Sequence, residues 1–234
     1  MDMTYWMSAS MRRDQVRTCG SAVIPGALAA RTSQTESEYD DAGQPSWARG
    51  VAANVVRVVD SVADARRAFL ERFVWVDGHA DTWSMFRDAA SLAAIVDGLA
   101  DLIREDEPDV IIGIESRGFV LAPAVALRLG VGFAPVRKLG ALFPGDLLSR
   151  QTTADYRGKT STLMLRADHL DPGQRAALVD DWIETGSQAR AVAELVGLRN
   201  ATLAVVAVVV DEASDDARRS LPIIRSIVSG EQLP

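Results

Sequence analysis

The chain has 234 residues, 48% hydrophobic and 24% charged, with a formal net charge of −7. That length fits one α/β domain or a domain with an appendage, and the acidic balance argues against a nucleic-acid partner held mainly by electrostatics. The single cysteine, Cys19, excludes an internal disulfide, no spacing reads as a structural zinc site, and no apolar run approaches the roughly 20 residues of a membrane span. The N-terminus lacks the uninterrupted apolar stretch of a secretory leader, so a reduced, cytoplasmic setting without membrane contact is the expectation.

Residues 1 to about 50 are rich in Ser, Thr, Gly, Arg and Ala, with Glu36, Glu38, Asp40 and Asp41 clustered before Pro45. The weak periodicity reads as a disordered extension, the alternative being a partner-binding arm. The domain is expected over residues 51–234. Val55, Val58, Val59 and Val62 put one apolar face on a helix over 51–73. Phe73-Val74-Trp75-Val76 reads as a strand or an extended lead-in. Leu92, Ile95, Val96, Leu99 and Ile103 place a second helix over 89–104. Val110-Ile111-Ile112-Gly113-Ile114 is a buried strand, followed by a turn at 115–118 and a helix ending near Gly130. Further strands are expected at 132–137, 162–166, 175–179, 203–210 and 223–228. Between them, residues 138–161 show little periodicity and carry Gly140, Pro144, Gly145 and Gly158. So long a structureless stretch inside a compact domain reads as a flexible functional lid. Strands alternating with helices, several continuously apolar, predict an α/β fold with a mostly parallel twisted sheet covered on both faces. Ligands in such sheets bind at the carboxyl ends of strands.

The most informative segment lies at such an end. Val179-Asp180-Asp181-Trp182-Ile183-Glu184-Thr185-Gly186-Ser187-Gln188 places two carboxylates where a strand stops and a small polar turn where a helix starts. Unpaired N–H groups at a helix N-terminus attract phosphate, and the neighbouring acids suit a diol or a divalent cation. The plainer reading makes Asp180 and Asp181 solvated or capping acids and Thr185 or Ser187 an N-cap.

Five pieces in order carry a resemblance to the class I phosphoribosyltransferases, and among them to the adenine enzymes. They are Phe86-Arg87-Asp88; Glu115-Ser116-Arg117-Gly118-Phe119; Pro135-Val136-Arg137-Lys138; the polar lid; and Ala167-Asp168-His169-Leu170-Asp171-Pro172-Gly173-Gln174-Arg175 leading into the Asp-Asp loop. The resemblance runs from about Met85 to Leu198. It implies a sheet flanked by helices, a small hood and a flexible lid. It also implies transfer of 5-phosphoribosyl from phosphoribosyl pyrophosphate (PRPP) to a purine-type base, adenine or a modified purine or deazapurine, with Mg²⁺ carried by the substrate, in a homodimer. By the same resemblance Asp180 and Asp181 hold the ribose, with Mg²⁺ nearby and no direct protein metal site. Thr185, Gly186, Ser187 and Gln188 hold the 5-phosphate. Glu115, Ser116, Arg117, Arg137 and Lys138 serve pyrophosphate, with a cis peptide at Glu115–Ser116. Phe86 and Arg87 form the base pocket, Phe86 as plain core being the alternative. His79 and His169 read as structural.

Three departures bear on the acceptor. The phosphate turn reads Glu184-Thr185-Gly186-Ser187-Gln188 where the adenine enzymes usually have Ala-Thr-Gly-Gly-Thr. Glu184 matches an Asp of hypoxanthine–guanine relatives and is a candidate catalytic acid/base group at a purine N7, or else a solvent-facing residue. Asp81-Thr82-Trp83-Ser84-Met85 replaces a Pro-Gly-Val type segment. Asp155-Tyr156-Arg157-Gly158 is one residue longer than the relatives' Glu-Tyr-Gly lid triplet, with Asp155 as its candidate catalytic acid. The competing readings are a non-catalytic PRPP-binding regulator and a degenerate scaffold used for dimerisation.

Overall fold

The structure, a computed structural model, describes residues 60–234 apart from Tyr156. The expectations for residues 1–50 and for a helix over 51–59 lie outside the described residues.

In chain order the elements are α1 (Ser61–Leu70), β1 (Trp75–Val76), β2 (His79–Ala80), α2 (Trp83–Arg87), α3 (Ala89–Ile103), β3 (Val110–Ile114), α4 (Gly118–Leu129), β4 (Gly132–Lys138), β5 (Leu147–Gln151), β6 (Thr162–Arg166), β7 (Arg175–Ile183), α5 (Ser187–Gly197), β8 (Thr202–Asp211), α6 (Asp215–Ser220) and β9 (Ile223–Ser229). Seven strands form one sheet in the order β5-β6-β4-β3-β7-β8-β9. The five strands from β4 to β9 in that order run parallel, while β6 is antiparallel to β4 and β5 antiparallel to β6. The expected mostly parallel sheet is therefore present.

Local chemistry sets the helix starts. Asp60 accepts from the Ala63 N–H at 3.0 Å and Asp88 from the Ser91 N–H at 2.8 Å, each satisfying a first-turn donor. The apolar stripe of α3 faces inward, with Ile95, Leu99 and Ile103 fully buried. Helices α1, α3 and α4 cover one face of the sheet, around Ile111, Ala177 and Val205. Helix α5 and Ala217 of α6 cover the other, around Ile112, Leu178 and Val206.

Two expectations need correction, at residues 138–161 and at the end of β7. Residues 138–161 are not structureless: β5 pairs along β6, so the lid is an antiparallel hairpin whose connection runs over 152–161. Its sequence, Leu-Leu-Ser-Arg-Gln, carries no apolar alternation because an edge strand is held by a ladder on one side and faces solvent on the other. Strand β7 continues through Asp180, Asp181 and Trp182 instead of stopping before them, since β8 offers it a parallel partner as far as Asp211. The 73–76 segment joins no large sheet; β1 and β2 form an exposed two-stranded ribbon. The 83–87 segment is a short helix, started by Asp81, which accepts from the Trp83 and Ser84 N–H groups at 3.0 and 3.2 Å.

One close approach fixes the height of α4 above the sheet. A Cβ on Gly113 would lie 2.6 Å from both Ala122 Cβ and the Gly118 carbonyl oxygen. Gly113→Ala must therefore push α4 off β3, and overpacking of this kind destabilises by about 1–3 kcal/mol. A lower urea midpoint at unchanged m-value is the expected result.

Candidate active site

The β3–α4 turn delivers Arg117, and the Glu115–Ser116 peptide within it is cis. Arg117 Nη1 lies 2.8 Å from Asp181 Oδ2 and donates to Thr82 Oγ1 at 3.0 Å. Thr82, fully buried, donates to the same Asp181 oxygen at 3.3 Å. Three segments distant in sequence, the start of α2, the end of β3 and the end of β7, are thus tied through one carboxylate. Asp180 lies beside it and accepts the Asp181 N–H at 2.9 Å.

Past β7 the chain turns through Glu184 and Thr185 to Gly186, which is left-handed with φ 69° and stands at the N-cap of α5. Only glycine fits comfortably there: besides the positive φ, a Cβ would lie 2.7 Å from Ala217 Cβ. Arg190, one turn into α5, donates to the Thr185 carbonyl at 2.7 Å and to Ser220 Oγ at 3.0 Å, holding the turn from beneath. The Ser187 N–H donates to Thr185 Oγ1 at 3.3 Å. Gly186 O accepts the Arg190 N–H, as an α-helix requires, which leaves the first-turn N–H groups without helical partners.

A cleft of about 580 Å³ opens over this turn. Of the residues singled out in the sequence, it brings together Arg117, Asp155, Asp180, Glu184, Thr185, Gly186, Ser187 and Gln188. Asp181 sits behind the wall, buried by Arg117 and Thr82. Arg137 and Glu115 form a fork, at 3.1 and 3.3 Å, and the Lys138 N–H donates to the same Glu115 carboxylate. Glu115, Ser116, Arg137 and Lys138 do not line the cleft. Neither do Phe86 and Arg87: α2 buries Met85, and Phe86 packs on the helical core with Trp83 edge-on at 5.8 Å. The aromatic wall comes instead from Trp75 and Trp182, with His79 of β2 beside them. Glu212, just past β8, and Arg157 of the lid complete the acidic and basic lining. Sequence reasoning singled out none of these four as site residues and treated His79 as structural. The strand-end rule covered Trp182 and Glu212, since both stand at the carboxyl ends of adjacent parallel strands.

The lid acid is engaged locally. Asp155 Oδ1 accepts the Arg157 and Lys159 N–H groups at 2.9 and 2.8 Å, so it shapes its own turn while lining the cleft.

The charges are unevenly balanced. Burial pushes the Asp180 carboxyl well above the usual carboxylate range, and the charge of Asp181 adds to it. Burial also raises Asp181, against the pull of Arg117. Burial raises Glu184, reinforced by Glu212 and Asp155 and opposed by Arg157 and Arg117. The hydrogen bond from Arg137 holds Glu115 low. Among the described residues no group of three or more His, Cys, Asp or Glu forms a metal cage.

Asp180 and the glycine turn that opens α5 thus share one cleft, with Asp181 behind its wall. The phosphoribosyl transferase domain model matches residues 82–228. The chain belongs to the phosphoribosyltransferase family. It is 38% identical over 141 residues to an adenine phosphoribosyltransferase of Desulfitobacterium hafniense, covering 60% of this chain and 80% of that one. Adenine phosphoribosyltransferase from Rhodothermus marinus superposes with a TM-score of 0.62 at 26% identity, over 70% of this chain and 98% of that chain. The Saccharomyces cerevisiae enzyme, solved with an imino-altritol bisphosphate and adenine, gives 0.61 at 28% identity, over 70% and 99%. The class I phosphoribosyltransferase fold, with its mostly parallel sheet, accordingly accommodates the departures at 81–85, 155–158 and 184–188.

The raised carboxyls of the phosphoribosyltransferase have a consequence for its stability. A carboxyl raised above its unfolded value opposes folding at pH above the raised value, and the penalty disappears as pH falls below the ordinary carboxylate range. Asp180→Asn removes the charge and keeps an oxygen for the Asp181 N–H. Its expected effect on the ligand-free protein is a melting temperature higher at pH 7, on the order of a few degrees. The gain should shrink towards pH 4, as thermal unfolding across a pH series would show.

Proposed function

We propose that this phosphoribosyltransferase moves the 5-phosphoribosyl group from PRPP to a ring nitrogen of a purine-type base, adenine first and a modified purine or deazapurine as the variant acceptor. The observation that carries this reading is the placement of Asp180 and the 184–188 turn in one cleft, below an aromatic wall.

The roles follow from the chemistry of each group. The N–H groups opening α5, with the hydroxyls of Thr185 and Ser187 and the amide of Gln188, take the 5-phosphate. Asp180 accepts from the ribose hydroxyls, and Asp181 acts from behind by holding Arg117. Arg117 supplies charge to the departing pyrophosphate. Lys138, exposed at the end of β4, adds a cation there, while Arg137 positions Glu115 and the turn carrying Ser116. The base attacks C1 as the C1–O bond to pyrophosphate breaks, and the positive charge that develops on the ribose ring faces Asp180. Glu184, its carboxyl raised by burial, takes up at N7 the ring proton that the purine gives up as it attacks. The lid hairpin, with Asp155 at its turn, excludes water on closing. Mg²⁺ fits as a substrate-borne ion: Mg²⁺ takes one or two carboxylates plus phosphate oxygens, and the described residues near Asp180 offer no fuller set. It would neutralise pyrophosphate charge when bound. By the same family resemblance the protein works as a homodimer in the cytoplasm; among its described residues no helix is long and apolar enough to cross a membrane.

Incubation with PRPP, Mg²⁺ and a panel of bases tests the reading. Base-dependent pyrophosphate release, fastest with adenine, is expected. PRPP binding with no release for any base would instead mark a regulator. Glu184→Ala should lower kcat/KM and remove the rise in rate expected of wild type as pH rises through the raised Glu184 value. An identical pH profile in the variant would rule out the acid/base role.

A further inference from the structure

We propose that Glu212 sets acceptor specificity: its carboxylate takes a hydrogen bond from the exocyclic amino group of a 6-aminopurine whose ring lies against Trp182. The inference rests on the phosphoribosyl-transfer reading and identifies the part of the cleft that chooses the base.

Glu212 directly follows β8, and the strand ends around it are tied together. Its N–H donates to the Ile183 carbonyl at 2.9 Å, and the Ser214 N–H donates to the Glu184 carbonyl at 3.0 Å. Glu184 and Glu212 therefore project from adjacent, mutually braced chain segments into the same cleft. The Glu212 side chain is also held: Oε2 accepts from Trp182 Nε1 at 3.0 Å. The chain leaves space for it, because a Cβ on Gly230 would fall 2.4 Å from Glu212 Cγ. The bond to Glu212 fixes the indole plane of Trp182, and Phe73 supports the ring at 6.4 Å between centroids. An oriented aromatic face beside an oriented carboxylate gives a base both a surface to lie on and an edge contact.

The sign of that edge contact decides the base. An ionised carboxylate only accepts hydrogen bonds. Adenine presents an N7 acceptor next to an N6 amino donor, whereas 6-oxopurines present two acceptors, N7 and O6. Glu212 complements the amino group and repels a carbonyl at the same place. The groups facing the carboxyl pair from other elements are Asp155 and Arg157 of the lid and Arg117 of the β3–α4 turn. Burial, with the charges of Glu212 and Asp155, raises the Glu184 carboxyl, and Glu184 lines the same cleft beside Glu212, where it can exchange the ring proton at N7. Glu212 thus serves the N6 amino group while Glu184 serves N7, and the two side chains share the Hoogsteen edge of a 6-aminopurine.

Glu212→Gln is the direct test. Glutamine keeps a carbonyl for Trp182 Nε1 and adds an amide donor able to meet O6. The adenine-to-hypoxanthine ratio of kcat/KM should fall by about 10- to 100-fold, the scale of one well-placed edge contact. PRPP affinity and melting temperature should hold. An unchanged ratio, or equal losses on both bases, overturns the proposal. Should that variant fold poorly, Trp182→Phe keeps a ring and releases the tether, and must raise KM for adenine without weakening PRPP binding; an unaltered KM overturns it equally. If wild type binds PRPP yet consumes no base, the transfer reading itself falls, and this proposal with it; turnover with an unmoved ratio removes Glu212 alone.

Discussion

Two adjacent carboxylates enclosed at the end of a β-strand repel each other, and the site is organised around making that arrangement tolerable. Asp181 is neutralised by Arg117 and capped by Thr82, while Asp180 is left facing the cleft. The compensation requires α4 to begin directly beside β7, which the absence of side chains at Gly113 and Gly118 allows. A buried ion pair is weak support for stability, because desolvation offsets most of its attraction. Its value lies in geometry: the one oxygen that accepts from both Arg117 and Thr82 fixes where the segment before α2 meets the sheet.

The cleft then divides into two chemically distinct ends. In the proposed reading one end, made of main-chain N–H groups and a sharp glycine turn, is the donor end and takes a phosphate. The other, made of tryptophan rings and carboxyl groups, is the acceptor end and takes a flat heterocycle. The first relies on backbone, which any sequence with a glycine at 186 can supply; the second relies on side chains, which are free to change.

The donor end was legible in the sequence because a run of apolar residues, two acids and a small polar turn carry their meaning locally. The same holds for α3, whose spacing fixed both its extent and its buried face. The acceptor end was not, because its members come from separate strand ends and from the β1–β2 ribbon, and nothing local ties Trp75 or Glu212 to Trp182. Phe86 looked like a stacking ring by position within a motif, yet Asp81 starts a helix that turns Met85 inward and lays Phe86 on the core. Strand β5 escaped notice for a different reason. An edge strand draws its hydrogen bonds from one neighbour, and its side chains need no alternating pattern. Arg137 and Lys138 read alike as cations for pyrophosphate, but only the structure separates the one locked on Glu115 from the one left exposed.

The contact between Gly186 and Ala217 bears on how this lineage can vary. The phosphate turn rests on α6, and Ala217 is fully buried against it. A larger residue at 217 would lift the turn from below just as surely as one at 186 would distort it from within. Heritable change at these two positions is therefore joint: the short helix between β8 and β9, remote from the motif in sequence, is constrained to a small side chain by the turn that rests on it.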